Sequence, residues 1–559
     1  MFSDLTTSTY PLGLSTEFGR SLLAPGGFFE VAEEEVLGHT HAVFKNRMRS
    51  VLEIFANSVA GNGAREYLAD EHRRLTYTEA HDAVARTARI LREDLGIRPG
   101  DRVGLYAANS LEWVVSFWAI VSTGAVVSAM NSYWSDPETQ AALELTAPRA
   151  ILADAKRAAV LDRLGATATT LVLDGDLFTR MTTGPVPDLA PAPTDEDDPV
   201  LYMFTSGTTG RPKAVVHRHR TVIGLYQCAI YNALLRMGGI PSEIPAPPRV
   251  LVGAPFFHLS ALFGSIVMYT AASGLLVLRP GRFEEERVLR AIQDERITYW
   301  LSVGSSGPRV AMHPKLADYD LSSIEMVMVG GAPVTPTVRR LLRRAFPGGV
   351  DNIRMGYTST ECGTNIATIG GDEFEDDPES AGPIQDGLLV EIRDPAGVPV
   401  PDGTDGHVFV RSPFLMLGYL DDPAASAEVL RDGWLSMGDV GRLEKGELYL
   451  NSRARDLIFV SSENVYPSEV ENRLEEHPDV LETCVAGVDD PITGQAVKAF
   501  VVLAPGAVTT VDELAVHCAG GLPAYKVPTH WDLRTEPLPR NATGKILRTA
   551  LLAEEDASR

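Results

Sequence analysis

Eighteen consecutive residues, Trp113 to Met130, carry no charge. A chain can place such a run in lipid or in the middle of a packed core. Ser116, Ser122, Thr123 and Gly124 interrupt it, which suits a buried helix followed by a buried strand better than a membrane span. The flanking residues agree. Val84, Ala88, Leu91 and Leu95 recur at helical spacing between Thr78 and Leu95, and Gly96 supplies a stop. Arg98-Pro99-Gly100-Asp101 then turns the chain into a strand at Val103 to Tyr106. Ser110 to Val121 returns to helix and Ala125 to Met130 to strand. This alternation predicts an α/β protein with a largely parallel sheet covered by helices on both faces.

The chain has 559 residues, too many for one ordinary core, so several packed units are expected. Past Gly382 the pattern shifts to shorter strands, among them Gly406 to Arg411 and Glu447 to Leu450, which predicts a small β-rich unit. A last α/β segment begins near Asp456, where Ser468 and Glu471, directly after Pro467, read as the capping box of a helix. Pro185 to Pro199 reads as a surface connection and Gly371 to Glu379 as an acidic loop. No internal repeat is visible.

Fifty basic against 74 acidic residues give a formal charge of -24, a field that repels nucleic acid. A nucleotide is still admitted, because local amides, a few cations and a metal ion outweigh a distant, screened charge. Cys228, Cys362, Cys484 and Cys518 form no CxxC pair, so neither a zinc site nor a disulfide framework is expected, and a reducing cytoplasm fits best. The first fifteen residues lack a basic start followed by an apolar run, so no secretory signal is expected.

The sharpest local motif is Thr205-Ser206-Gly207-Thr208-Thr209-Gly210-Arg211-Pro212-Lys213, after the apolar run Val200 to Phe204. Its glycines permit a tight backbone, while hydroxyls, exposed amides and Lys213 can face phosphate oxygens. The plain alternative is a polar turn after a strand. It is not a Walker loop, because Pro212 separates glycine from lysine and Ala214 stands where that loop needs a hydroxyl.

With this segment the chain resembles the adenylate-forming superfamily of acyl-CoA synthetases, peptide-synthetase adenylation domains and luciferases. Further matches follow in the family's order: Gly330-Gly331-Ala332-Pro333, Tyr357-Thr358-Ser359-Thr360-Glu361 and Gly433-Trp434-Leu435-Ser436-Met437-Gly438-Asp439. Ser452-Arg453-Ala454-Arg455-Asp456, Glu463 to Glu471 and Asn541-Ala542-Thr543-Gly544-Lys545-Ile546 complete the set. The resemblance runs from about residue 50 to residue 550.

It implies that Thr205, Ser206, Gly207, Thr208, Thr209 and Lys213 cradle the phosphates of ATP. Tyr357 would stack on adenine, with Gly331, Ala332 and Pro333 lining its other side. Thr360 would hold a phosphate and Glu361 Mg²⁺, a hard cation that takes oxygen ligands. Asp439 would accept both ribose hydroxyls and Arg453 would support them, although an aspartate in a Gly-Asp turn is ordinarily structural. Lys545 would bridge the acid's oxygen and the α-phosphate. The acid pocket would involve Phe257-His258-Leu259 and the small residues from Ser302 to Gly307, including Ser305 and Ser306, which leave space for a bulky or aromatic acid. His258 would lie beside the acid and the acceptor's entry path.

Two positions depart from the pattern. Thr358 stands where glycine is common, which predicts altered packing. Ser462, in Ser461-Ser462-Glu463-Asn464, replaces a glycine that lines the pantetheine passage in acyl-CoA synthetases. This weakens CoA as acceptor relative to adenylation.

The expectation is therefore an α/β protein: a large N-terminal domain of α/β sheets with a small β-rich unit, residues 1–453, plus a small mobile α+β C-terminal domain, residues 456–559, hinged near Arg455. The expected activity is ATP-dependent activation of a medium-chain or aromatic acid as acyl-AMP, with Mg²⁺, and transfer to CoA. The alternative keeps adenylation but uses another acceptor, as in an amide-forming ligase or a diazotase that activates nitrite. A nucleotide-binding regulatory protein is the rival outside this class, and retention of Lys213 and Lys545 argues against it. No nucleic-acid partner and no integral membrane segment are expected, and the sequence leaves a homodimer open.

Overall fold

A computed structural model describes residues 17–206, 212–241, 246–303, 306–330, 336–371, 373–377, 379–453, 456–460, 463–490, 494–540 and 546–556. The large N-terminal part is mixed α/β. A seven-stranded sheet runs in the order Gly418–Tyr419, Pro212–Arg218, Pro199–Ser206, Val126–Ala129, Arg102–Tyr106, Ala150–Ala153 and Thr169–Val172. Its pairings are parallel except at Pro212–Arg218, which is antiparallel to both neighbours. An eight-stranded sheet orders Asn365–Gly370, Ile353–Thr358, Met326–Gly330, Tyr299–Val303, Arg249–Val252, Leu275–Leu278, Glu66–Ala69 and Arg74–Thr76. Its central pairings are parallel and its two outermost are antiparallel.

The uncharged run is core. Ser110 caps the helix Leu111–Ser122, every residue of which is buried, and the strand Val126–Ala129 follows, also buried. Trp113, Phe117 and Trp118 from this helix share one apolar cluster with strands of both large sheets, which places the helix layer between the sheets. Two aromatic polar groups inside it are satisfied, Trp118 Nε1 donating to Tyr67 Oη at 2.8 Å and Tyr77 Oη to the Gly274 carbonyl at 2.9 Å, whereas Trp113 Nε1 is buried with no hydrogen-bond partner among the described residues. Among the described residues no helix is long and apolar enough to cross a membrane.

The preceding helix starts one residue earlier than periodicity suggests, at Tyr77, because Thr76 and Glu79 form a capping box. It stays α-helical to Arg89 and continues as a π-turn over Ile90–Asp94 before Gly96, at φ 64°, ends it. The expected capping box at Ser468 and Glu471 does not form. The helix Pro467–Glu475 begins at the proline with Tyr466 as its cap residue. Ser468 Oγ instead donates to the Asn451 carbonyl, and Glu471 accepts from the Val485 amide and from Arg548.

The Pro185 to Pro199 connection is irregular up to the strand that starts at Pro199, but it is not purely a surface segment. Glu196 is buried and takes both Nε and Nη2 of Arg47, at 2.8 and 2.6 Å, together with Arg49 and Arg220. Asp197 receives Arg220 through Nε and Nη2, at 2.8 and 2.9 Å, and Arg218 at 2.5 Å. This network joins the hairpin Val31–Val36 and His39–Phe44, through Glu34, to the end of strand Pro212–Arg218. The acidic loop near Gly371 contains a short helix, Glu373–Asp376.

A six-stranded antiparallel sheet of Ser380–Pro383, Glu447–Arg453, Trp434–Glu444, Gly406–Arg411 and Leu389–Arg393, with Leu430–Arg431 beside it, forms the expected β-rich unit. The smaller C-terminal part has its own five-stranded sheet and its own apolar cluster around Val470, Leu474, Val497, Val501 and Leu514. All four cysteines are free and buried. Burial raises every thiol, Cys362 to about 12 and Cys484 and Cys518 to about 11.

Candidate active site

Strands Pro199–Ser206 and Pro212–Arg218 pair antiparallel, with Thr205 opposite Lys213 and Ser206 opposite Pro212. The ends of the glycine-rich segment are therefore fixed as the two legs of a hairpin, a different setting from the strand-to-helix loop of Walker proteins. The Lys213 side chain is half-buried, and its ammonium lies 4.9 Å from the ring centroid of Tyr419, a cation–π contact.

Tyr357 lies near the end of the strand Ile353–Thr358, where a bulge falls between Tyr357 and Thr358. The chain then turns tightly from Thr358 to Thr364. Thr358, the residue in place of glycine, uses its hydroxyl to close this turn by donating to the Thr364 carbonyl at 2.6 Å, while Ser359 Oγ accepts from the Cys362 amide at 3.1 Å. The altered packing expected at Thr358 is thus a local brace on the turn that carries Thr360 and Glu361, both half-buried. Gly363 has φ 72°, and a Cβ there would meet Thr221 Cγ2 at 2.4 Å, so this turn requires glycine.

Tyr419 Oη donates to Glu361 Oε1 at 2.9 Å, and the Met416 amide donates to the Glu361 carbonyl at 3.1 Å. Burial, with the Glu361 carboxylate adding to it, pushes the Tyr419 phenol above the ordinary tyrosine range, so it acts as a proton donor to that carboxylate. Tyr419 escapes sequence reasoning because a Gly-Tyr pair on a two-residue strand carries no local signal.

Asp439 lies inside the long strand Trp434–Glu444 rather than in a turn, and it is 7% exposed. Gly438 before it has φ 68°, a kink within the strand. Tyr357 Oη donates to Asp439 Oδ2 at 2.5 Å, and Asp439 sits opposite Arg453 in the sheet register. The residues expected to hold adenine and ribose, 82 positions apart, therefore meet where the eight-stranded and six-stranded sheets adjoin.

His258 precedes a short helical turn that runs into a π-helical stretch, Leu262–Val267. Its ring lies 4.4 Å from that of Phe257, and its Nε2 is buried with no hydrogen-bond partner among the described residues. Burial lowers its pKa to about 4, so the imidazole is neutral at pH 7 and offers one donor and one acceptor rather than a charge. Ser302 Oγ and Ser306 Oγ are 3.0 Å apart, and a Cβ on Gly307 would come within 2.7 Å of Ser302 Oγ, so this wall is built from small residues in contact.

Gly207, Thr208, Thr209, Gly331, Ala332, Pro333 and Lys545 lie outside the described residues, as do Ser305, Arg455 and Ser462. Ser206 and Arg453 are placed by backbone alone. Among the described residues no group of three or more His, Cys, Asp or Glu side chains could hold a metal. Mg²⁺ would need only one or two carboxylates besides phosphates and water, and Glu361, which accepts Tyr419 on Oε1, is the carboxylate expected to supply one through Oε2.

Comparison with known proteins defines the class. Residues 55–420 match the model of the AMP-binding enzyme family, and residues 469–545 that of the AMP-binding enzyme C-terminal domain. The chain belongs to this family of AMP-forming acid ligases. It is 34% identical over 475 residues to a feruloyl-CoA synthase of Amycolatopsis sp, covering 85% of this chain and 92% of the relative. The amide bond synthetase McbA from Marinactinospora thermotolerans superposes with a TM-score of 0.77 at 27% identity, covering 90% of this chain and 99% of that one. The o-succinylbenzoate CoA synthetase MenE from Bacillus subtilis, in complex with its acyl-adenylate intermediate, gives a TM-score of 0.75 at 26% identity, covering 90% and 98%.

Proposed function

We propose that the protein activates a small aromatic or medium-chain carboxylic acid with ATP, as its acyl-AMP, and transfers the acyl group to CoA. The observation that carries the nucleotide half is the meeting of Tyr357 with Asp439, beside the strand that ends at Arg453. In this reading the Asp439 carboxylate takes the ribose hydroxyls, Arg453 supports it, and the Tyr357 ring lies along adenine, faced by Gly331, Ala332 and Pro333. Thr205 to Thr209 and Lys213 hold the phosphates, with Thr360 donating to one of them. Glu361 would hold Mg²⁺, which offsets the negative charge that gathers on the leaving pyrophosphate.

The acid enters beside neutral His258 and the small wall of Ser302, Ser306 and Gly307. Its carboxylate is already anionic, so no general base is required, and catalysis reduces to alignment and neutralisation of charge. Lys545 supplies that neutralisation between the acid oxygen and the α-phosphate. The unit from Asp456 onward turns about Arg455 after adenylation and exchanges Lys545 for a path along which CoA reaches the acyl carbon. The 34% identical feruloyl-CoA synthase supports both an aromatic acid and CoA.

A second reading keeps adenylation and replaces CoA by an amine or another small nucleophile. Ser462 in place of the passage glycine favours it, as does the likeness to an amide bond synthetase. The deciding experiment measures pyrophosphate release across cinnamic, benzoic and medium-chain acids and nitrite, with CoA, with amines and with neither. Acid-dependent release followed by thioester formation supports the first reading. Release that yields amide but no thioester transfers the conclusion to the second, and release with nitrite alone overturns carboxylic acid activation.

A further inference from the structure

Tyr419 touches both charged groups assigned to the phosphate site. Its hydroxyl donates to Glu361 Oε1 at 2.9 Å, and its ring face lies 4.9 Å from the Lys213 ammonium. Backbone pairing sets this placement. The strand Gly418–Tyr419 pairs with Pro212–Arg218, with Val215 opposite Tyr419 and Val216 opposite Gly418. The Leu417 and Leu420 amides donate to the Val216 and Ala214 carbonyls at 2.9 and 2.8 Å, and the Tyr419 amide donates to Ser426 Oγ at 2.8 Å. Gly418 adopts φ 144°, a conformation that strains any residue with a side chain, and a Cβ on it would stand 2.9 Å from Ser426 Oγ, the hydroxyl that accepts from the Tyr419 amide. The backbone therefore holds the residue at the sheet edge from which its phenol reaches Glu361.

We propose that Tyr419 is a positioning residue for the metal-bound nucleotide. By occupying Oε1 it fixes the rotation of the Glu361 carboxylate and presents Oε2 to Mg²⁺, while its ring holds the Lys213 ammonium in place. A carboxylate ligand is oriented by the hydrogen bond on its other oxygen, and loss of such a partner typically costs about 10- to 100-fold in metal affinity or activity. The inference rests on Glu361 being the residue that holds Mg²⁺.

Tyr419→Phe removes the hydroxyl and keeps the ring, so packing and the Lys213 contact remain. Binding of ATP to the acid-free enzyme, measured by calorimetry at a series of Mg²⁺ concentrations, separates the contributions. The variant should bind ATP in the absence of metal as the wild type does, need about 10- to 100-fold more Mg²⁺ to reach the metal-dependent gain in affinity, and be rescued by excess Mg²⁺. Glu361→Gln should shift the same profile, and adding Tyr419→Phe to it should shift it no further. If Glu361→Gln shifts the Mg²⁺ profile and Tyr419→Phe does not, the role of Tyr419 is overturned and that of Glu361 stands. If neither shifts it, the assignment of the metal to Glu361 falls, and the inference with it. An equal loss of ATP affinity at all Mg²⁺ concentrations in Tyr419→Phe would make the phenol a structural brace only, which also overturns the proposal.

Discussion

Replacing Asp439 tests the nucleotide half of the site most directly. The carboxylate is 7% exposed and accepts the Tyr357 hydroxyl on Oδ2. In the proposed complex it also accepts two ribose hydroxyls. Each hydrogen bond to a charged group contributes about 1.5–3 kcal/mol, so Asp439→Ala removes about 3–6 kcal/mol of binding. The orphaned Tyr357 hydroxyl is present in free and bound states alike, so its cost cancels from the affinity and appears instead in the melting temperature. At about 1.4 kcal/mol per decade, the dissociation constant for ATP should rise about 10²- to 10⁴-fold. Asp439→Asn, which keeps the shape and one acceptor oxygen, should fall between wild type and alanine. Calorimetry with ATP in the absence of acid measures the constant, and a thermal melt of each variant reports folding separately. A folded Asp439→Ala protein with an unchanged ATP constant would refute the ribose assignment and return Asp439 to a structural partner of Tyr357.

Lys545→Ala should cut adenylation by about 10²-fold or more, the usual cost of one charged donor in a preorganised site, and leave ATP binding intact; wild-type pyrophosphate release would dismiss its role. Ser462→Gly should speed thioester formation without changing adenylation if pantetheine threads past this position, because a close-fitting channel registers even a small steric loss; two half-reaction assays on wild type and variant read it. Burial holds His217 and His219 at about 3 and 4, against 6.5 for an ordinary histidine. They are neutral in the fold while the unfolded chain takes up protons below 6.5, so their contribution is complete above that pH and is lost as the pH falls towards their folded values. At pH 5 each should cost about 2 kcal/mol at about 1.36 kcal/mol per unit. Urea midpoints should therefore fall from about pH 7.5 to 5, and His217→Leu should flatten that dependence; an unchanged slope in the variant would refute the attribution.

The α/β alternation is legible in the sequence because it rests on local periodicity. Helix Leu111–Ser122 and strands Arg102–Tyr106 and Val126–Ala129 fall within a residue or two of the positions that the apolar pattern predicts. What local pattern cannot reach is anything decided by a distant partner. Ser468 and Glu471 have the spacing of a capping box, but Glu471 is claimed by Arg548 from the last helix and by the Val485 amide, and Ser468 by Asn451. Glu196 stands in a proline-rich connection that reads as surface, yet it is enclosed by Arg220 from the chain that follows and by Arg47, 149 residues before it. Within the site, ordered motifs bring out Tyr357 and Asp439, which do meet. Tyr419 stays hidden because its importance lies in the edge pairing that points it at Glu361.

The buried thiols have a practical corollary. With Cys228, Cys362, Cys484 and Cys518 all enclosed and held in the unreactive thiol form, alkylating probes at neutral pH should pass over the native protein. A cysteine introduced at Val508, 89% exposed on the C-terminal part, and a second at Phe28, 72% exposed on the N-terminal part, would then be the dominant labelling sites without any prior removal of natural cysteines. A fluorophore pair attached there would test the domain rotation proposed about Arg455, as a distance followed during turnover, in an enzyme whose interior is otherwise untouched.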